Sequence, residues 1–378
     1  MMSIWEKETF YAPQDVIIIG SGFVGLWSAL YLKKINPKLK ISIIEKGIIP
    51  TGASTRNAGF ACFGSLSELV YDAQTMGTEK MLELVAMRYK GLNRIQKFFN
   101  KDVIDFDLCG GYEVYNNADK TTLDELEKNS TYINSLLKPI TGIKKTFRIA
   151  DEVKDHFGFS NIKHMVKNNL EGYLHSGKLV KALLQNVQAS GVQVFNAMGV
   201  KSFCAAGKKV ELITDKEISF STKQLLICTN AFAKDLLPGE DIRPARGQVL
   251  LTSPIKDLAW KGTFHFDEGF YYFRNLGNRI LLGGARNKAF VDETTTDMQT
   301  SPFIQGELER FLSGVILPNH KNEYTIEHRW SGIMAMGSDK MPIVKEVEKN
   351  VFCAVKMSGM GVALAPVVGQ QVAKMMTS

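Results

Sequence analysis

The segment Gly20-Ser21-Gly22-Phe23-Val24-Gly25 restricts the fold of this chain more than any other feature. It follows the apolar run Val16-Ile17-Ile18-Ile19 and opens a stretch of helical periodicity over 23–34, which closes at Asn36-Pro37. A second apolar run, Ile41-Ser42-Ile43-Ile44, follows directly and ends in Glu45 and Lys46. Strand, tight turn, helix and strand make a βαβ unit. Its three glycines serve different needs: the first makes the turn, the second lets the backbone approach a pyrophosphate, and the third lets helix and strand pack closely. The helix N-terminus presents free N–H groups to an anion. Glu45 stands 20 positions after Gly25, at the end of the second strand, where a carboxylate accepts from ribose hydroxyls. The constellation specifies a dinucleotide without choosing which one.

With 378 residues, 45% hydrophobic and 22% charged, the chain is too long for a single core, so two domains are expected. The net charge of +7 is spread over dispersed lysines and arginines, which gives no basic block for nucleic acid. The five cysteines (Cys62, Cys109, Cys204, Cys228, Cys353) form no C-x-x-C pair and read as reduced thiols in a cytoplasmic protein. The run 16–32 is broken by the three spaced glycines and preceded by an acidic, polar segment, so neither a signal peptide nor an integral membrane segment is expected. The six histidines show no metal-ligand spacing, and no metal is expected.

Further along, the pattern predicts a small-residue loop over 51–65, helices over 78–100, 122–137 and 178–189, and strands over 111–115 and 192–195. A meander follows over 200–229, turning at Ala206-Gly207 and Thr214-Asp215, and then a β-rich stretch over 246–285 with a hairpin turning at Gly277-Asn278. The chain ends in a strand over 351–355, a glycine-rich turn and a helix over 362–376. No internal repeat is present.

Three further motifs choose the dinucleotide. Ala53-Ser54-Thr55-Arg56-Asn57-Ala58-Gly59 follows the acidic residue, Leu225-Leu226-Ile227-Cys228-Thr229-Asn230-Ala231 ends a later strand, and Ser358-Gly359-Met360-Gly361 opens the final helix. From Val16 to Met376 the chain resembles the D-amino-acid-oxidase-like (DAO) superfamily of FAD-dependent oxidoreductases, in its glycine/sarcosine oxidase and γ-glutamylputrescine oxidase branch. The resemblance implies an α/β fold: a Rossmann-type FAD-binding domain with a central parallel sheet and β-meander, and an interleaved α+β substrate domain built on an antiparallel sheet. It implies an FAD-binding domain over 1–75, 165–240 and 326–378, and a substrate domain over 76–164 and 241–325. The family pattern places Gly20, Gly22, Phe23, Val24, Gly25, Glu45 and Lys46 on the ADP half, and Ser54, Arg56, Asn57, Ala58 and Gly59 along the pyrophosphate and flavin. It places Val200 at the adenine, Thr229 and Asn230 along the cofactor, Gly332 beneath the flavin, and Gly359, Met360, Gly361 and Val362 at its pyrimidine edge. Asn230 replaces a usual glycine, and Ala58-Gly59 replaces a glycine pair. The pattern has no cysteine or histidine placed for covalent attachment, so the FAD is expected to be non-covalent.

The implied chemistry is oxidation of the C–N bond of a small amine or amino acid by hydride transfer to flavin N5, with oxygen or another electron acceptor closing the cycle. The alternatives are an FAD-dependent 2-hydroxy acid or polyol dehydrogenase and a non-catalytic FAD-binding sensor. Tyr272 and Arg274 alternate onto one face of the predicted hairpin, resembling the family's roof over the flavin, and are candidate substrate residues with Arg329 and Lys356. Met334 stands where the family's amino-acid oxidases carry the arginine that clamps the substrate carboxylate, which points to an amine with a different handle, unless Arg274, Arg286 or Arg329 supplies the clamp. Lys356 replaces a small residue, and its side chain reaches either substrate or the solvent and phosphate side.

Overall fold

The structure, a computed structural model, describes residues 2–258, 260–320 and 323–378. It comprises two compact units, Met1–Thr55 with Ser176–Ala245 and Met334–Ser378, and Arg56–His175 with Arg246–Ile333. Both are mixed α/β, as the sequence leads one to expect.

The first unit is built on a sheet ordered Ile343–Glu348, Val351–Val355, Ser219–Ile227, Gln14–Ile19, Ile41–Ile44 and Gln193–Phe195. All neighbours pair parallel except the antiparallel edge strand Ile343–Glu348. Such strands are covered on both faces, which is why Gln14–Ile19 and Ile41–Ile44 read as continuous apolar runs rather than alternating ones. Gln14–Ile19 lies between Ile41–Ile44 and Ser219–Ile227, so the chain order reverses beside it. Open α/β sheets bind ligands in the crevice at such a point. Val200–Ala206 and Lys209–Thr214 continue from Ser219–Ile227 as an antiparallel meander. The helices Phe23–Ile35 and Gly361–Met375 pack together at a close crossing, where a Cβ on Gly369 would lie 2.8 Å from Trp27 Cβ and 2.9 Å from Ser28 N.

The second unit holds an eight-stranded sheet ordered Ile326–Met336, Arg243–Thr252, Arg279–Gly284, Tyr271–Leu276, Thr263–Phe266, Gly111–Asn116, Ile162–Asn168 and Phe147–Ile149. From Arg243–Thr252 onward the neighbours are antiparallel, apart from the parallel pairing of Thr263–Phe266 with Gly111–Asn116. The hairpin turns where its sequence predicts, with Gly277 at φ +62°. Period-two alternation gives the sheet two unlike faces. Phe264, Tyr271, Phe273, Ile280 and Leu282 form an apolar core with Ile304, Leu308 and Phe311 of the helix Pro302–Phe311. Each fully buried aromatic there contributes about 3 kcal/mol. Thr263, His265, Tyr272 and Arg274 alternate onto the other, more polar face.

Two local differences from the sequence reading have identifiable causes. The helix expected to stop at 137 runs Leu123–Thr141 through Pro139, because a proline that close to the C-terminus removes only a last-turn hydrogen bond before Gly142 closes the helix at φ +73°. The small-residue loop is followed by an unexpected helix, Leu66–Met76, capped by Ser65 Oγ accepting from the Glu68 N–H.

Candidate cofactor and substrate sites

In the first unit the predicted glycines do different mechanical work. Gly20 has φ +99°, and a Cβ there would lie 2.9 Å from the Cys228 carbonyl oxygen. A Cβ on Gly25 would lie 2.0 Å from the Gly20 carbonyl oxygen, so helix and turn can approach this closely only around glycine. Gly22 is the N-cap of Phe23–Ile35, and Ser54 Oγ accepts from the Phe23 N–H at 2.9 Å. Val24 is buried beside it, its carbonyl accepting from Ser28 Oγ at 2.7 Å.

Glu45 is half-buried at the end of Ile41–Ile44. Its Oε2 accepts from Ser21 N–H and Oγ, and its Oε1 from the Gly47 N–H at 2.9 Å. The Met198 N–H donates to the Glu45 carbonyl at 2.9 Å, which brings Val200 close to Glu45 and the exposed Lys46.

Across the same sheet edge, Thr229 and Asn230 follow Ser219–Ile227, and the loop 356–360 follows Val351–Val355. Asn230 has φ +50°, the left-handed conformation glycine would adopt freely, and asparagine is among the few other residues that tolerate it. The substitution of the family's glycine therefore preserves the backbone. Thr229 Oγ1 and Ser358 Oγ are buried with no hydrogen-bond partner among the described residues. No side chain caps the N-terminus of Gly361–Met375, whose N-cap is Met360 and whose first turn contains Val362. Met334 lies against the turn, with Sδ 3.5 Å from where a Gly359 Cβ would stand.

These features fit a bound dinucleotide: glycines that hold space, two helix N-termini without an acidic first turn, and orphaned hydroxyls at the strand ends. Lys356 belongs to the same turn at φ +63° and is buried, with Nζ 2.8 Å from Asp339 Oδ1 and 3.8 Å from Asp241 Oδ2. It is therefore held by carboxylates rather than extended into solvent.

The remaining predicted residues lie in the second unit. Arg56 Nη1 donates to the Ser331 carbonyl at 3.0 Å, its carbonyl accepts from Trp330 Nε1 at 2.9 Å, and its Cβ lies 3.1 Å from where a Gly332 Cβ would be. Asn57 Oδ1 accepts from the Gly59 N–H at 2.9 Å. Arg274 is buried, and its guanidinium is committed to backbone: Nε donates to Ala58 O at 2.7 Å, Nη1 to Asn275 O and Nη2 to Leu174 O, with its plane 4.6 Å from the Tyr173 ring centroid. Burial brings its pKa down to about 10. Arg329 is committed to Gln305 Oε1 at 2.7 Å and Glu309 at 2.9 Å.

Tyr272 and Arg286 differ from these. Neither side chain makes a hydrogen bond or salt bridge among the described residues, yet each responds electrostatically to the other. Gly283 leaves room for the Tyr272 ring, since a Cβ there would stand 2.5 Å from Cε2. Phe60 meets the same ring edge-on at 5.8 Å. Burial pushes the Tyr272 phenol up to about 12, so it remains protonated and able to donate. Burial lowers the Arg286 pKa, and its plane stacks on Phe290 at 4.7 Å. Arg286 was one of three arginines the sequence could not rank; only the structure separates it from its committed neighbours.

Fold and first-unit geometry together define a dinucleotide-binding protein of the doubly wound α/β class. Residues 15–375 match the DAO family, described as FAD dependent oxidoreductase. The chain belongs to that family and is an FAD-dependent oxidoreductase. It is 24% identical over 377 residues to the probable oxidoreductase OrdL of Haemophilus influenzae, covering 95% of this chain and 82% of the relative. It is 22% identical over 381 residues to the γ-glutamylputrescine oxidoreductase of Escherichia coli, covering 96% and 83%. The L-proline dehydrogenase of P. horikoshii shares the fold with a TM-score of 0.77 at 19% identity, over 97% of this chain and 93% of that one. Among the described residues, no helix is long and apolar enough to cross a membrane.

Proposed function

We propose that the protein oxidises the C–N bond of a small amine or amino acid that carries a carboxylate, using non-covalently bound FAD. The observation that carries this reading is the uncommitted pair of donors, Tyr272 and Arg286, on a unit whose other predicted arginines are spent on protein acceptors. A guanidinium recognises a carboxylate through paired N–H donors. The protonated Tyr272 adds a directional donor, so the two hold the substrate by its acidic end. Names among the relatives support an amine or amino acid, since they act on γ-glutamylputrescine and proline.

FAD, when bound, supplies the acceptor for the hydride. The chain contributes binding and orientation. Gly20, Gly22, Gly25 and the N-terminus of Phe23–Ile35 would hold the pyrophosphate, with Ser54 beside them, and Glu45 would hold the ribose with Val200 and Lys46 at the adenine end. In the second unit, Arg56, Asn57, Ala58, Gly59 and Gly332 would contribute to the flavin site, and Arg274 fixes Ala58 among them rather than touching substrate. In the first unit, Thr229, Asn230, Gly359, Met360, Gly361 and Val362 would contribute to the flavin site. The uncapped N-terminus of Gly361–Met375 would favour negative charge placed beside it. Lys356 keeps the 356–360 turn in its left-handed conformation through Asp339.

The test compares an amino acid with its decarboxylated amine and its 2-hydroxy analogue as reductants of the wild-type protein and of Arg286→Met. The reading predicts that only the C–N substrates react. In Arg286→Met, KM for the carboxylated one rises about tenfold or more with kcat little changed. An unchanged KM for the carboxylated substrate in Arg286→Met contradicts the carboxylate clamp, and reduction by the hydroxy acid alone contradicts amine oxidation.

A further inference from the structure

On the polar face of the second unit's sheet, where His265 is the cross-strand partner of Tyr272, three metal-ligating side chains converge. Cys62, Glu171 and His265 place one ligand atom each within 4.8 Å of one another, and all three are buried, at 6%, 1% and 8% exposure. They are widely spaced in sequence and meet through pairing. Phe60–Ala61 pairs with Gly172–Tyr173, which sets Cys62 beside Glu171, and His265 lies within Thr263–Phe266. We propose that Cys62, Glu171 and His265 bind one divalent cation of the zinc class.

Two independent features support the site. First, space is reserved for the carboxylate: a Cβ on Gly111 would lie 2.3 Å from Glu171 Cδ. Second, the carboxylate is oriented. Thr263 Oγ1 donates to Glu171 Oε1 at 2.9 Å, the kind of supporting bond that metal-binding carboxylates use.

The ligand set selects the metal. Thiolate and imidazole favour zinc over magnesium or calcium, which prefer all-oxygen shells. In the metal-free arrangement, a proton hydrogen-bonds His265 Nε2 to Glu171 Oε1 at 2.5 Å. Binding releases that proton and the Cys62 thiol proton to solvent, and the thiolate, imidazole and carboxylate become ligands without any redox change. Bond lengths of about 2.0–2.3 Å in tetrahedral geometry require the three atoms to settle roughly 3.3–3.8 Å apart, so the histidine–glutamate contact opens. The ion ties down the segment carrying Phe60, whose ring meets both His265 and Tyr272.

The flavin-containing protein, grown with added zinc and dialysed into metal-free buffer, is assayed for metal by mass spectrometry. Wild type and Cys204→Ser, which alters an exposed cysteine, are expected to hold about one zinc per chain. Cys62→Ser and Glu171→Gln are expected to hold a tenth of that or less while retaining the visible circular dichroism of bound flavin. Should those variants fail to fold, cobalt-loaded wild type reports instead, through a thiolate-to-cobalt charge-transfer band. Wild type that takes up neither metal, or metal retained by folded Cys62→Ser, overturns the proposal and leaves a plain histidine–glutamate ion pair.

Discussion

Glu45 Oε2 accepts two hydrogen bonds from Ser21, one from its backbone N–H at 2.9 Å and one from its hydroxyl at 2.7 Å. The acidic residue that closes the second strand thus fixes the glycine turn that follows the first. Replacing Glu45 with Gln removes the charge that strengthens both bonds and the proposed ribose contact. A charged hydrogen bond is worth about 1.5–3 kcal/mol, so FAD affinity should fall roughly 10- to 100-fold. Fluorescence titration of the flavin-free protein measures this, and an unchanged affinity would place Glu45 outside the cofactor site.

Gly25 and Gly52 provide a matched contrast. A Cβ at Gly25 meets the Gly20 carbonyl at 2.0 Å, and backbone cannot swing aside, whereas a Cβ at Gly52 meets nothing within 4 Å. Gly25→Ala should lose about 3 kcal/mol or more of stability and release its flavin. Gly52→Ala should leave both unchanged. Thermal unfolding monitored by flavin release distinguishes the two variants.

Arg274 should behave as a structural residue. Arg274→Leu strips the donors from the Ala58 and Leu174 carbonyls, and each buried orphan costs about 1–3 kcal/mol. Urea denaturation should show a loss of about 3 kcal/mol. Arg274→Lys should recover little, because an ammonium cannot span three carbonyls and stack on Tyr173. Full stability in Arg274→Leu would return this arginine to the list of substrate residues.

Such outcomes bear on what a sequence can disclose. The βαβ unit over 16–45 was legible because parallel strands, turn glycines and a terminal acid are all local. The meander turns and the Gly277 hairpin were legible for the same reason. The helix Leu66–Met76 was missed although Ser65 and Glu68 stand at N-cap spacing, since the preceding small residues suggested a continuing loop. Alternation placed Tyr272 and Arg274 on one face, yet could not tell that Arg274 spends its donors on carbonyls while Arg286 keeps its own free. That distinction, like the meeting of Glu171 with His265 94 positions away, depends on long-range pairing that no window of sequence contains.

A buried ion pair sets a pH response. Arg246 Nε and Nη2 each donate at 2.8 Å to Glu293, which also accepts from Gln248. Burial raises the Glu293 pKa, but the bonds from Arg246 and Gln248 outweigh it and hold the carboxyl below its ordinary value. A carboxylate depressed on folding contributes stability that is complete above its unfolded value, about 4.3, and is lost as pH falls through the folded value. Glu293→Gln should therefore cost about 3–5 kcal/mol at pH 7, with the gap to wild type narrowing below about pH 4. Denaturation across that range checks the sign; a gap that widens on acidification would refute it.

The central claim is most directly tested by the visible spectrum of the purified protein during anaerobic titration with primary and secondary amines, amino acids and hydroxy acids. Flavin bands that bleach with one class of carboxylated amine, and not with hydroxy acids, are the predicted result. A protein that takes up no FAD, or whose bound flavin no amine reduces, would contradict the account.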